Sequence, residues 1–427
     1  MGFWSRILFF IVVLSVLIVL QIIVHRFFKK LFKQLNFESV FWKRINIYPY
    51  FIFSASYLYL FFYRSDIFKM PALVYDIYII PSFVFLISVF FIGIAILIYR
   101  LIKLPFKILK YILLKFAYLK NKYINLKTNK SYIEFDIGRR KFISTSSLAI
   151  SGLVFASTGI GVVRKDNYDI TFKDISIQNL PDELKGLKAV LISDIHSGPF
   201  MFENEMSRYC DIINNLKTDL IFIPGDLTNT QPKEIIPFCN AFINLKSNYG
   251  VHITLGNHDY FGDHEFIYDY LEKNTDFNIY RNTSNILKIN NKEILILGLE
   301  DTANSGTQKE NVIINYLKKT VDKAHSDFSK DKFSKIPKIL LCHKPYFFKK
   351  IPEYEIDFVL SGHTHGGQIA LLNYGGINIS IASAVNEYIS GHYIYGNSQM
   401  YVSRGLGTVG LPIRLNCRPE ITVFTFV

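Results

Sequence analysis

Ala189-Val190-Leu191-Ile192-Ser193-Asp194-Ile195-His196 is an apolar run that stops on a carboxylate and an imidazole. The same design recurs along the C-terminal half. Leu220-Ile221-Phe222-Ile223 leads into Gly225-Asp226, and Val251-His252-Ile253-Thr254-Leu255 into Gly256-Asn257-His258-Asp259. Ile339-Leu340-Leu341-Cys342 leads into His343, and Phe358-Val359-Leu360-Ser361 into Gly362-His363-Thr364-His365. Continuous apolar runs of this length read as strands buried on both faces. Open α/β sheets build their sites at the carboxyl ends of such strands. Glu203 to Leu216 reads as a connecting helix, and Met400 to Ser403 and Glu420 to Val427 as closing strands.

The residues at the strand ends are those that hold hard and borderline divalent cations: carboxylate, imidazole and amide oxygen. In Asp194-x-His196, alternation along an extended segment puts both side chains on one side. Asp226 has two carboxylate oxygens and is suited to bridging two metals, and Asn257 offers a neutral oxygen. His343, His363 and His365 supply imidazoles. Hydrolysis of a phosphate ester needs a strong nucleophile and neutralisation of developing charge. Two cations roughly 3.5–4 Å apart provide both. Glycines beside these residues permit tight turns and close backbone approach.

On these motifs the chain from about Leu184 to Val427 resembles the calcineurin-like metallophosphoesterase superfamily, in particular its membrane-anchored bacterial branch. Gly362-His363-Thr364-His365-Gly366-Gly367-Gln368 and Ser403-Arg404-Gly405-Leu406-Gly407-Thr408 carry the closer likeness. The resemblance implies an α/β fold, a double β-sheet sandwich flanked by helices. It implies one metal held by Asp194, His196, Asp226 and His365, and another by Asp226, Asn257, His343 and His363. The metals expected are Mn, Fe or Zn. His258 would touch the phosphate and protonate the leaving group, with Asn257 beside it. Many relatives carry a second Asp three residues after the bridging one, where this chain has Asn229; there it orients the catalytic His. Asp259 is the expected substitute in the acid step, and Arg404, in a glycine-rich turn, is a candidate for meeting a substrate phosphate.

The N-terminal part differs in kind. Residues 1–165 carry 23 Lys+Arg against 5 Asp+Glu, whereas the remainder carries 25 against 30. The basic surplus therefore lies outside the motif-bearing domain, which argues against nucleic acid as a partner of that domain. Apolar stretches at 7–24, 47–63, 77–98 and 143–163 read as four membrane spans of an all-α region covering 1–165, followed by a catalytic domain over 166–427. Arg139-Arg140-Lys141 before the fourth stretch also resembles a twin-arginine export signal. Basic residues after the first span and across 100–141 place those segments in the cytoplasm, and the loop holding Arg64, Asp66 and Lys69 outside. Four crossings then leave the catalytic domain on the periplasmic side of a bacterial inner membrane.

The expected function is a membrane-anchored dimetal phosphohydrolase. It would cleave a phosphodiester, pyrophosphate or phosphomonoester, with the lipid bilayer as partner and a lipid-linked substrate as a natural fit. A sensor or scaffold with a metal-binding but non-catalytic domain is the alternative. A transporter is disfavoured because the spans carry little charge beyond Asp76. The four cysteines form no Cys-x-x-Cys pair and read as buried free thiols.

Overall fold

The computed structural model describes residues 3–62, 72–178, 180–301, 308–326, 330–375 and 377–427. The chain forms two compact units, Met1–Val163 and Arg164–Val427.

The first unit is helical. Among the described residues, the helical stretches Phe10–Gln34, Tyr75–Leu113 and Lys130–Val163 are long and apolar enough to cross a membrane. The expected span at 47–63 corresponds to the helix Tyr48–Phe62, which has 15 residues. At about 1.5 Å per residue it falls short of a hydrocarbon core of about 30 Å. It ends where the described residues end, and the loop with Arg64, Asp66 and Lys69 lies outside them. Arg139 and Arg140 sit inside the helix Lys130–Val163, where both guanidinium groups reach Asp136, at 2.5 and 2.6 Å.

The second unit is a sandwich of two six-stranded sheets. The first sheet has the order β1-β14-β2-β3-β4-β5. Its strands are β1 (Asp169–Ile175), β2 (Lys188–Leu191), β3 (Leu220–Pro224), β4 (Val251–Thr254), β5 (Asn278–Ile279) and β14 (Glu420–Phe426). The second sheet has the order β12-β13-β9-β8-β7-β6. Its strands are β6 (Thr283–Ile289), β7 (Lys292–Gly298), β8 (Lys338–Leu341), β9 (Phe358–Ser361), β12 (Gly391–Tyr395) and β13 (Ser398–Val402). A separate hairpin joins β10 (Ala370–Tyr374) to β11 (Ile377–Ser380). The central strands β2, β3 and β4 run parallel, as do β7, β8, β9 and β13.

Strand alternation builds three apolar layers. Ala189, Leu191, Leu220 and Phe222 face Ile339, Leu341, Phe358 and Leu360 between the sheets. Val190, Ile192, Ile221 and Ile223 face outward onto helices carrying Met206, Phe238 and Ile267. Leu340, Val359 and Met400 face outward onto the helix Gln308–Ser326 through Ile313 and Leu317. Each central strand is thus buried on both faces, which explains why its sequence is largely apolar. The four cysteines are free and buried.

Candidate metal centre

Every expected ligand follows a strand of the central parallel sets. The loops after β2 and β3 lie side by side: Asp194 N–H donates to Gly225 O, His196 N–H to Asp226 O, and Ser197 N–H to Leu227 O. Asp194, His196, Asp226, His363 and His365 all have left-handed backbone, with φ between 50 and 74°. Non-glycine residues adopt this region sparingly, and it concentrates where surrounding structure fixes a functional geometry. Gly256 and Gly362 allow the loops to meet, since a Cβ at either would strike a site carboxylate, Asp226 or Asp194 respectively. The two sheets are stitched together at this end. His363 N–H donates to both oxygens of Asp194 at 2.9 and 3.0 Å, and the His343 ring Nδ1 donates to Pro224 O at 2.8 Å.

The result is two ligand groups linked through one carboxylate, Asp226. Asp194, His196 and His365 form one, and Asp226, His343 and His363 another; within each, the donor atoms lie within 4.8 Å of one another. A third such group, His196, Asp226 and His258, links them. His196 Nε2 and His365 Nε2 face each other at 2.9 Å. Asp226 Oδ2 lies 3.1 Å from His343 Nε2 and 3.6 Å from His196 Nε2. His343 Nε2 and Asn257 Oδ1 are buried, yet neither has a hydrogen bond of good alignment. Lone pairs converging without donors between them fit divalent cations. In His343, the Nδ1–H bond to Pro224 fixes the ring with Nε2 aimed at Asp226, the usual outer-shell arrangement for a metal-binding imidazole, and a cation bound there would displace the Nε2 proton.

The electrostatics follow from burial. Desolvation raises the Asp194 carboxyl to about 6, with Asp226 adding to it. Desolvation lowers His196 to about 3 and also lowers His363 and His365, so these imidazoles stay neutral. Burial works against ionisation of Asp226 and His343, but their mutual attraction outweighs it, holding Asp226 low and raising His343 to about 10.

His258 is held at both its backbone and its ring. Its backbone N–H donates to Asp226 Oδ1 at 2.8 Å, and its ring Nδ1 donates to the main-chain carbonyl of Asn229 at 2.6 Å. The ring packs on His196 and Phe261. The charged side chain missing at Asn229 is thus replaced by a backbone acceptor. That carbonyl is fixed from behind by Glu234, whose Oε2 accepts the N–H groups of Asn229, Thr230 and Gln231 at 2.9, 2.7 and 2.9 Å.

Two expectations are corrected. Asp259 does not assist the acid step. It is fully buried, and its carboxylate accepts from Leu227 N, Thr228 N, Thr228 Oγ1 and Gly256 N, tying the loop after β3 to the loop after β4. Adjacent residues diverge here, so proximity in sequence to His258 gave it no access to the ring. Arg404 is not free for a phosphate: its guanidinium pairs with Asp169 at 3.2 Å and Glu420 at 3.3 Å.

Three buried residues at the site escaped sequence reading. Arg414 donates to the carbonyls of Arg404, Gly405 and Gly407 and brings Nη2 to 3.4 Å from His365 Nδ1. Lys344, which follows His343, forms a buried ion pair with Asp301. Glu234 is the third; its only sequence signal is Pro232 and an acidic residue opening a helical turn.

Residues 187–367 match the family model for calcineurin-like phosphoesterase. The chain is 31% identical to an uncharacterized metallophosphoesterase, YkuE, of Bacillus subtilis, over 68% of this chain and 97% of that one. It is 30% identical to a protein of Danio rerio named "Transmembrane protein with metallophosphoesterase domain", over 66% of this chain and 60% of that one. A Campylobacter jejuni metallophosphoesterase, Cj0846, is 31% identical over 58% of this chain and 61% of its own length. The matched stretch thus spans nearly all of the Bacillus relative and about three fifths of the other two. With its ligand groups at the strand ends of a two-sheet sandwich, the chain belongs to the calcineurin-like phosphoesterase family, metal-dependent hydrolases of phosphate esters.

Proposed function

We propose that the protein is a membrane-anchored dimetal phosphohydrolase acting on a phosphodiester, pyrophosphate or phosphomonoester whose leaving or retained group is lipid-linked. The observation that carries the dimetal reading is the position of Asp226 between the two ligand groups, with Oδ2 3.1 Å from His343 Nε2 and 3.6 Å from His196 Nε2. One metal falls to Asp194, His196, Asp226 and His365, and the other to Asp226, Asn257, His343 and His363. Mn, Fe and Zn all suit this donor set. When bound, such a pair supplies Lewis acidity toward phosphate oxygens and a strongly acidified water.

The chain's own residues do the rest. Burial keeps His196, His363 and His365 neutral and so available as donors. His258 holds a proton for the leaving oxygen at Nε2 while Asn229 O fixes its ring through Nδ1. Asp259 and Glu234 position the loops without touching substrate.

Membrane anchoring is supported by the three long apolar helical stretches. The basic segments after residue 24 and across 100–141 belong on the cytoplasmic side by charge. Both can lie there only if the chain crosses back between them. We therefore assign a crossing to the apolar stretch 47–63, short though its helix is, which puts the catalytic unit on the periplasmic face of a bacterial inner membrane.

The test is hydrolysis of an aryl phosphodiester by the full chain with added Mn²⁺, alongside metal analysis. Metal-dependent turnover and two metals per chain are expected, with both reduced in Asp226→Asn. Undiminished turnover in Asp226→Asn would refute the assignment.

A further inference from the structure

The hairpin β10–β11 is built inside out. Its register pairs Leu372 with Ile379, Asn373 with Asn378 and Tyr374 with Ile377. Alternation therefore puts Leu372, Tyr374, Ile377 and Ile379 on one face and Asn373, Asn378 and Ser380 on the other. The polar face is the one turned to the protein. Asn378 Nδ2 donates to Gly366 O at 3.0 Å, and Asn373 Nδ2 donates to Asn416 O at 3.1 Å. The apolar face stands outside: Tyr374 is 82% exposed and Ile377 58%. Two further apolar side chains flank the same hairpin, Leu371 at 80% and Ile381 at 83%. A half-buried hairpin in a soluble protein has the opposite pattern.

From Gly366 to Asn386 the chain has no charged residue. Exposed edges and patches in water are normally broken by charge. A protein interface is also rimmed by polar groups. A neutral aliphatic face with a tyrosine at its tip matches the headgroup boundary of a bilayer, where an amphipathic aromatic sits with its hydroxyl wet. The apolar helix ends at Val163 and β1 begins at Asp169, so a short connection ties the unit bearing this face to the helical one. The hairpin is bonded to Gly366, next to His365 of the metal centre.

We propose that the β10–β11 hairpin docks into the surface of the same bilayer that holds the helical unit, bringing the metal centre to phosphoesters carried by lipid. This rests on the membrane-anchored reading above, and the experiment separates the two.

The full chain is reconstituted into phosphatidylcholine nanodiscs with an environment-sensitive fluorophore at Ile377→Cys; the native cysteines are buried. Lys273→Cys, exposed on another helix of the same unit, is the aqueous control, and Val16→Cys in the first helix the bilayer control. Expected is a blue shift and quenching by spin-labelled lipid at 377 and 16 but not at 273. Quenching at 16 with none at 377 overturns the docking alone; none at 16 overturns the anchor. Energy transfer between labels on two copies, without lipid quenching, assigns the face to self-association and also overturns the docking.

The double variant Tyr374→Ser/Ile377→Ser should keep turnover of a soluble aryl phosphodiester. It should lose about tenfold or more on a lipid-borne one, as expected for removing side chains that each favour an apolar phase. Equal loss on both substrates, or on neither, overturns the proposal. Wild type inactive on the soluble ester counts against the phosphohydrolase reading and leaves the quenching result standing.

Discussion

The two halves of the metal centre are braced with opposite charge. The first sheet supplies Asp194, His196, Asp226, Asn257 and His258, and its loops are held by the buried carboxylates Asp259 and Glu234 accepting backbone N–H groups. The second sheet supplies only imidazoles, His343, His363 and His365, and the buried cations Lys344 and Arg414 stand behind them. The difference has a chemical consequence. After burial and the neighbouring imidazoles, Arg414 acts on His365 and Lys344 on His363 to hold each ring below its ordinary value. Cations behind His363 and His365 favour their deprotonated form, which is the state that ligates, whereas His343 is held charged by Asp226. Carboxylates behind the other loops have a different task, satisfying the amides that left-handed turns direct inward.

The residue that joins the halves should matter most. Asp226→Asn is expected to reduce kcat/KM by about 10³-fold or more, the scale for removing a principal electrostatic stabiliser. It should also lower metal content. Next is His258→Asn on the first half, with kcat down about 10²-fold to 10⁴-fold. Here metal content should be unchanged, because Asp194, His196, Asp226, Asn257, His343, His363 and His365 supply both proposed ligand sets without the His258 ring, which Asn229 O anchors. Loss of metal in this variant would place His258 among the ligands instead.

On the second half, Arg414→Lys tests the brace. Its planar fork reaches three carbonyls and approaches His365, which a single ammonium cannot reproduce. A loss of about 10–100-fold in metal affinity is expected, the range for outer-shell partners. Isothermal titration of the metal-free protein measures it. Affinity equal to wild type would mean the cationic side is packing alone.

Glu234→Gln is the corresponding test on the first half, with a smaller effect. One accepting oxygen that served three N–H groups becomes an amide with one acceptor, costing on the order of 1–3 kcal/mol of stability. Thermal melting should fall and kcat should drop by less than in His258→Asn. An unchanged melting temperature would remove Glu234 from the framework of the site.

This contrast also marks what the sequence could disclose. The apolar runs over 189–193, 220–223, 251–255, 339–342 and 358–361 were legible as strands because burial on both faces makes them largely apolar. The candidate ligand residues were legible because each closes such a run. The braces were not, because their partners are remote: Arg414 meets His365 across 49 residues and Lys344 meets Asp301 across 43. A lone buried arginine or glutamate leaves no period in the sequence. Asp259 misled for the converse reason. It adjoins His258 in the chain, but the helical turn that opens at Asp259 sends its carboxylate to the amides of Thr228 and Gly256.

Arg404 offers the smallest expected effect and the sharpest check on the corrected assignment. Its glycine-rich setting suggests a phosphate contact, whereas its guanidinium is committed to Asp169 and Glu420. Glu420 is buried but also accepts from Thr171 Oγ1 and Tyr401 Oη, so it keeps partners when the arginine is removed. Arg404→Ala should therefore cost about 1 kcal/mol of stability and leave KM for an aryl phosphodiester unchanged. A raised KM with unchanged melting would return Arg404 to the substrate. The opposite pattern places it, with Glu420, in the seam between β1 and β14 that closes the first sheet behind the metal-bearing loops.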